Sequence, residues 1–209
     1  ADTRFQVGGA GAYVTATNLS YLFTSDVGAL RAVDGQLVTA TESHTGTSVT
    51  INADGTISFV ACSILSLIDC FPTDFRWFEI VIDVSAASTA NSLQMQVLLA
   101  STPVTTATHV REYIEALTSG AVSNTYSAVA DNVLIGRVTN SGSGEAYSRV
   151  EVTGANEARQ TNLLFDSHDN ETKRTGYGVF PGANVHNGVK IYLSGAGTIT
   201  GTVRVIGHI

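Results

Sequence analysis

The eleven residues from Phe75 to Ser85 read Phe-Arg-Trp-Phe-Glu-Ile-Val-Ile-Asp-Val-Ser. Phe78, Ile80, Ile82 and Val84 fall on one side of this run, and Trp77, Glu79, Val81 and Asp83 on the other. A period of two belongs to a half-buried strand, because a helix repeats every 3.6 residues. The apolar set therefore predicts an inner face shared by Phe78, Ile80 and Ile82, with Trp77 or Phe78 buried. A strand that hides only one face needs neighbours in its own sheet and a second layer over it, which restricts the chain to β architectures.

The same signature recurs along the chain. Leu93, Met95 and Val97 predict another inward-facing set, and further strands are expected at 131–139, 146–153 and 160–167. Val110 to Leu117 fits both a helix and a strand, and its β surroundings favour the strand. Ser48–Ile51 and Thr56–Phe59 flank Asn52-Ala53-Asp54-Gly55, a hairpin whose Asp-Gly pair supplies the positive φ of a tight turn. Val49 and Ile51 should share a side with Ile57 and Phe59. At the C-terminus, Val189, Ile191 and Leu193 alternate with polar neighbours, as do Ile199, Val203 and Val205. These two runs are expected to pair across Gly195-Ala196-Gly197 as a closing hairpin. Turn signals every eight to twelve residues are those of a sandwich or barrel.

Composition narrows what such a fold could serve. Hydrophobic residues make up 44% of the 209 and charged residues only 14%, so a sizeable core is available and disorder is excluded. The net charge is −7, from 18 acidic and 11 basic residues, and the only lysines are Lys173 and Lys190. That balance argues against a surface that tracks nucleic-acid phosphates. The longest apolar run, Phe59 to Phe71, is thirteen residues interrupted by Ser63, Ser66 and Asp69, too short for a membrane helix. The start, Ala1-Asp2-Thr3-Arg4-Phe5, lacks the basic-then-apolar pattern of a secretory signal and fits a small protein that has lost its initiator Met.

Gly8-Gly9-Ala10-Gly11 reads as a hinge, so Ala1–Val7 is expected to be an arm that reaches a neighbour. Residues 13–23 form a candidate strand behind it. The organisation expected is an arm with leading strands over 1–45 and a sandwich over 46–209, together one compact domain. Cys62 and Cys70 could bridge only if Phe59–Phe71 bends back on itself, and buried free thiols are the expected state.

Two stretches carry a resemblance. Phe75–Ser85 followed by Ala90–Leu99 resembles an aromatic-rich strand, a short turn and an "L-x-L-x-V" strand familiar in structural proteins of tailed bacteriophages. Residues 188–209, Gly-Val-Lys-Ile-Tyr-Leu-Ser-Gly-Ala-Gly-Thr-Ile-Thr-Gly-Thr-Val-Arg-Val-Ile-Gly-His-Ile, are similar to the ending "I-x-L-x-x-x-x-G-x-I-x-x-G-T-I-x-L-Y-G" of many phage tail-fibre and virion proteins. Ile206 stands where that ending usually has an aromatic. The resemblance spans about residues 48–209. It implies an antiparallel, jelly-roll-like β-sandwich, assembled as a homotrimer on the virion surface after synthesis in the host cytoplasm. A head decoration (cement) or tail-fibre-like role is the expectation, with a host-surface carbohydrate-binding adhesin of the phage tail as the alternative, and the Gly-hinged N-terminal arm is expected to attach to the major capsid protein or tail proteins. The Phe59–Phe71 segment, whose one charge is Asp69, is more apolar than a sandwich edge normally tolerates and points the same way.

Chemical motifs are sparse. No P-loop, G-x-S-x-G, H-E-x-x-H or C-x-x-C occurs, so no catalytic residue, cofactor or metal is expected. Asp166-Ser167-His168-Asp169-Asn170-Glu171, backed by Lys173 and Arg174, is rich in oxygen ligands that suit Ca²⁺, but lacks the spacing of a calcium loop and reads as a solvated connection. His44, His109, His186 and His208 are dispersed. Glu112/Glu115 and Glu145/Glu151 are the carboxylate pairs to consider for glycoside cleavage. Tyr126, Tyr147 and Tyr177, in turn-rich stretches, are the candidates for stacking on a host glycan or for subunit contact.

Overall fold

In the computed structural model the described residues are 4–7, 12–15, 21–23 and 30–32 as backbone, and then 35–105, 109–138 and 145–209. Among them the strands begin with β1 (Arg4–Val7), β2 (Ala12–Thr15), β3 (Tyr21–Phe23) and β4 (Leu30–Ala32). Next come β5 (Gln36–Leu37), β6 (Thr41–Thr45), β7 (Ser48–Ile51), β8 (Ile57–Cys62) and β9 (Ile64–Ile68). β10 (Trp77–Ala87), β11 (Asn91–Leu99), β12 (Thr102–Pro103), β13 (His109–Leu117), β14 (Val122–Ala130) and β15 (Val133–Val138) occupy the middle. The chain closes with β16 (Ala146–Thr153), β17 (Thr161–Asp169), β18 (Thr172–Phe180), β19 (Gly188–Leu193) and β20 (Ile199–His208).

Two antiparallel sheets pack as a sandwich. The larger runs β14-β13-β18-β17-β16-β10-β20-β8-β7, with β5 also on β20; the smaller runs β12-β11-β19-β9-β6, with β15 also on β11. The core between them is the alternating set. Phe78, Ile80, Ile82 and Val84 of β10 are completely buried, as are Leu93, Met95 and Val97 of β11. Val150, Val152 and Leu163 extend the larger sheet's inner face, and Leu65, Leu67, Val189 and Ile191 the smaller sheet's. The expected register of β10 and β11 thus holds. Polar ties cross the gap: the Ser148 hydroxyl donates to the Ile135 carbonyl, and Arg174 Nη1 to the Gly136 carbonyl at 2.7 Å. At Gly178 a Cβ would lie 2.1 Å from Val133 Cγ2, so only glycine lets β15 settle onto β18 there.

The β7–β8 hairpin forms as expected, with Val49 opposite Phe59 and Ile51 opposite Ile57, and Gly55 takes φ +83°. The closing hairpin does not. β19 lies between β11 and β9 in the smaller sheet, and β20 between β10 and β8 in the larger. Residues 194–198 therefore carry the chain from one layer to the other. Both runs bury apolar faces towards the same gap, which is why alternation alone makes them look like partners.

Phe59–Phe71 also divides between layers, since β8 and β9 belong to different sheets. Phe59, Cys62, Leu65, Leu67, Cys70 and Phe71 are buried within the chain, so this segment supplies core rather than the surplus surface expected of it. Both cysteines are free thiols, and burial raises each thiol's pKa above its ordinary value. Near the N-terminus β1 pairs with β2, and β3 with β4. The remainder of the expected arm, including Gly8–Gly11, lies outside the described residues. β5 and β6, from the part expected to lead into the sandwich, pair within its two sheets.

Candidate functional site

The register of the larger sheet fixes which side chains share its outward face. One row across it runs Tyr126, Glu112, Tyr177, Leu164, Glu151, Glu79 and Ile206. A second runs Val122, Ala116, Lys173, His168, Tyr147, Asp83 and Thr202. All three candidate tyrosines therefore point to the same side of one sheet. They lie within strands β14, β16 and β18, not in turns as expected.

Tyr126 and Tyr177 flank Glu112. The Tyr177 hydroxyl donates to Glu112 Oε2 at 3.1 Å, and Asn124 Nδ2 donates to Oε1 at 3.1 Å. Bonding to this carboxylate stabilises the neutral phenol and raises the Tyr177 pKa. Around this row the face is apolar and open: Val122 is 69% exposed, Tyr126 61%, Leu164 55% and Ile114 52%. Towards the middle of the sheet it becomes a polar lattice. Arg149 Nη2 meets Glu79 at 2.7 Å and Glu151 at 3.3 Å, and the first contact raises the arginine's pKa.

Tyr147 lies elsewhere on the face, beside a notch. β16 starts at Ala146 opposite Asp169, where β17 ends in its turn, while β10 on the other side continues past Val84 to Ala87. Three adjacent strands place Asp83, Tyr147 and His168 side by side, and Glu145, Asp169 and Asn170 complete a pocket of about 540 Å³. The Tyr147 and His168 rings touch, with centroids 5.2 Å apart and planes at 32°. Asp169 Oδ1 accepts the backbone amides of Glu171 and Thr172 at 2.7 and 2.6 Å, which fixes the turn beside the notch.

The expected loop at Asp166–Glu171 is thus mostly strand. Asp166 accepts from the Thr175 hydroxyl at 2.7 Å and faces Lys173 at 3.6 Å. Among the described residues no cluster of three His, Cys, Asp or Glu side chains is arranged to hold a metal ion. Arg174, expected to back a solvated loop, is instead buried in the sandwich. Its Nη2 donates to Glu115 Oε1 at 3.2 Å, and its guanidinium lies 5.4 Å from the centre of the Tyr113 ring. Alternation places Lys173 and Arg174 on opposite faces, a signal readable only once the segment is known to be a strand.

The carboxylate pairs do not converge. Glu112 faces outward and Glu115 inward from β13, and Glu145 and Glu151 are separated by roughly 20 Å of extended chain. Among the described residues the histidine side chains remain apart. His44 bonds Glu42 at 2.8 Å, buried His186 contacts the Thr161 hydroxyl at 2.8 Å, and His208 stacks on Trp77 with centroids 3.7 Å apart. The His109 side chain is outside the described residues. No described helix is long and apolar enough to cross a membrane.

No protein-family model matches the chain, and no curated protein does. Its structure is distantly similar to a human SPRY domain, at 14% identity and TM-score 0.38 over 80% of this chain and 97% of that one. A protein of unknown function from Shewanella oneidensis MR-1 matches at 13% identity and TM-score 0.35, over 90% of this chain and 84% of its own. Peanut lectin, solved with a nine-residue peptide, matches at 12% identity and TM-score 0.27, over 80% and 92%. By its own sheet topology the chain is a β-sandwich of two antiparallel sheets.

Proposed function

We propose that this chain is a non-enzymatic structural protein of a tailed-phage particle. In this reading it is a homotrimeric module on the outer surface, either a head decoration (cement) protein or a tail-fibre-like unit. The sequence resemblance over Phe75–Leu99 and Gly188–Ile209 motivates the phage assignment.

The observation that carries the assembly is the inverted polarity at the β13–β14 end of the larger sheet. There Ile114, Val122, Tyr126 and Leu164 face outward while Glu115 and Arg174 turn towards the interior. Exposed apolar side chains gathered on one outward sheet face, here interleaved with Glu112, Asn124 and Tyr177, are what a subunit contact covers. β14 is also an edge strand, and Val122–Ala130 contains no charged residue or proline of the kind that blocks association. The role is mechanical: the sandwich supplies rigidity, the strip joins subunits, and the N-terminal segment attaches the module to capsid or tail.

Particles purified from cells carrying the gene should contain the chain, and gold labelling should place it on the exterior of head or tail. Its absence from purified particles would overturn the assignment. Deleting residues 1–11 should leave the thermal transition nearly unchanged while abolishing attachment. Outright unfolding of that variant would make the segment a core element instead.

A further inference from the structure

The geometry points to a saccharide-binding site in the notch above β16, selective for neutral sugars. This goes beyond the structural role and does not depend on where the chain resides. A pyranose ring offers two chemistries at once: an apolar C–H face and a rim of hydroxyl donors. The notch offers the complement of both.

Tyr147 and His168 stand next to each other on the outward face, their rings in contact, and form an aromatic wall. Such a wall can cover the C–H face of a sugar. Asp83 is directly opposite Tyr147 on β10, and Glu145 and Asp169 border the same pocket. Asp83 and Glu145 are exposed carboxylates, each an acceptor with two oxygens matched to adjacent sugar hydroxyls, while Asp169 Oδ2 is buried and contributes charge rather than an open acceptor. One oxygen of Asp169 already holds the turn amides of Glu171 and Thr172, so the β17–β18 turn is braced before any ligand arrives. At about 540 Å³ the pocket has room for one or two rings.

The charge decides among ligands. Three carboxylates repel phosphates, sulfates and sugar acids. A simple amine would be attracted, but ion pairs open to solvent contribute little, and a linear amine makes no use of the ring wall. A neutral sugar uses both the wall and the acceptors.

The test is an array of neutral, amino and anionic glycans probed with the full chain, followed by calorimetric titration of the best neutral hit and of putrescine. Binding of a neutral glycan is expected, with affinity at least tenfold weaker in Tyr147→Ala and in Asp83→Asn. Glu79→Gln, on the same face but outside both the notch and the apolar strip, should bind as the unaltered chain does. Asp83→Asn preserves shape on the outward face, so it reports on the site even if Tyr147→Ala folds poorly. The proposal fails if no neutral glycan binds, if putrescine alone binds, or if Asp83→Asn keeps full affinity. Trimer formation and particle attachment do not enter these readouts, so this failure is separable from that of the structural role.

Discussion

The middle of the larger sheet and its β13–β14 end follow opposite rules. Around β10, every inward side chain from Phe78 to Val84 is apolar and fully buried, and the outward side carries Glu79, Arg149 and Glu151 in a bridged cluster. At the β13–β14 end, inward positions include Glu115, Thr172 and Arg174, while Ile114, Val122, Tyr126 and Leu164 are turned out. The middle is the pattern of a face that meets water. The far end is the pattern of a face that expects cover, with a buried guanidinium where the two layers run out of apolar side chains. The contrast teaches that alternation reports two environments, and that the apolar side need not be the one packed inside the same chain.

The comparison can be pressed hardest at its centre. Ile80→Ala removes buried methyl groups from a site with no room to collapse, and should cost about 4 kcal/mol in chemical denaturation. A cost below about 0.5 kcal/mol would mean that the inner face is not core. At the far end, Glu115→Ala strips the carboxylate from Arg174 and leaves part of a buried guanidinium without its charged acceptor. The loss should be about 2 kcal/mol, smaller because this pair is nearer the surface. Arg174→Met, which keeps the long side chain but removes its charge, should lose about as much; a near-neutral Arg174→Met would instead show that packing of the side chain, not its charge, is what the site needs. The smallest effects belong to the outward strip, where Val122→Thr and Tyr126→Ser should change the stability of the isolated subunit by less than about 0.5 kcal/mol. A larger change there would mean that these side chains pack within their own chain.

Much of the fold is legible in the residues. The inward sets of β10 and β11, the β7–β8 hairpin and the strand character of β13 all follow from period-two patterning and one Asp-Gly turn. Pairing is not legible in the same way. Val189–Leu193 and Ile199–Val205 bury the same kind of face into the same gap, and nothing local says that they sit in opposite layers. The notch was half legible: Tyr147 could be singled out, but its neighbours Asp83 and His168 are 64 and 21 residues away along the chain and meet it only through β10 and β17. Arg174 misled for a related reason, because a charged cluster reads as a loop until the strand that divides it into two faces is known.

If the outward strip is a subunit contact, it sets the association state of the chain in solution. Light scattering on the folded chain at micromolar concentration should give a trimer, and Ile114→Lys, which plants a charge in the strip's centre, should give a folded monomer. A monodisperse, folded monomer from the unaltered chain would contradict the account, as would a trimer that Ile114→Lys leaves intact.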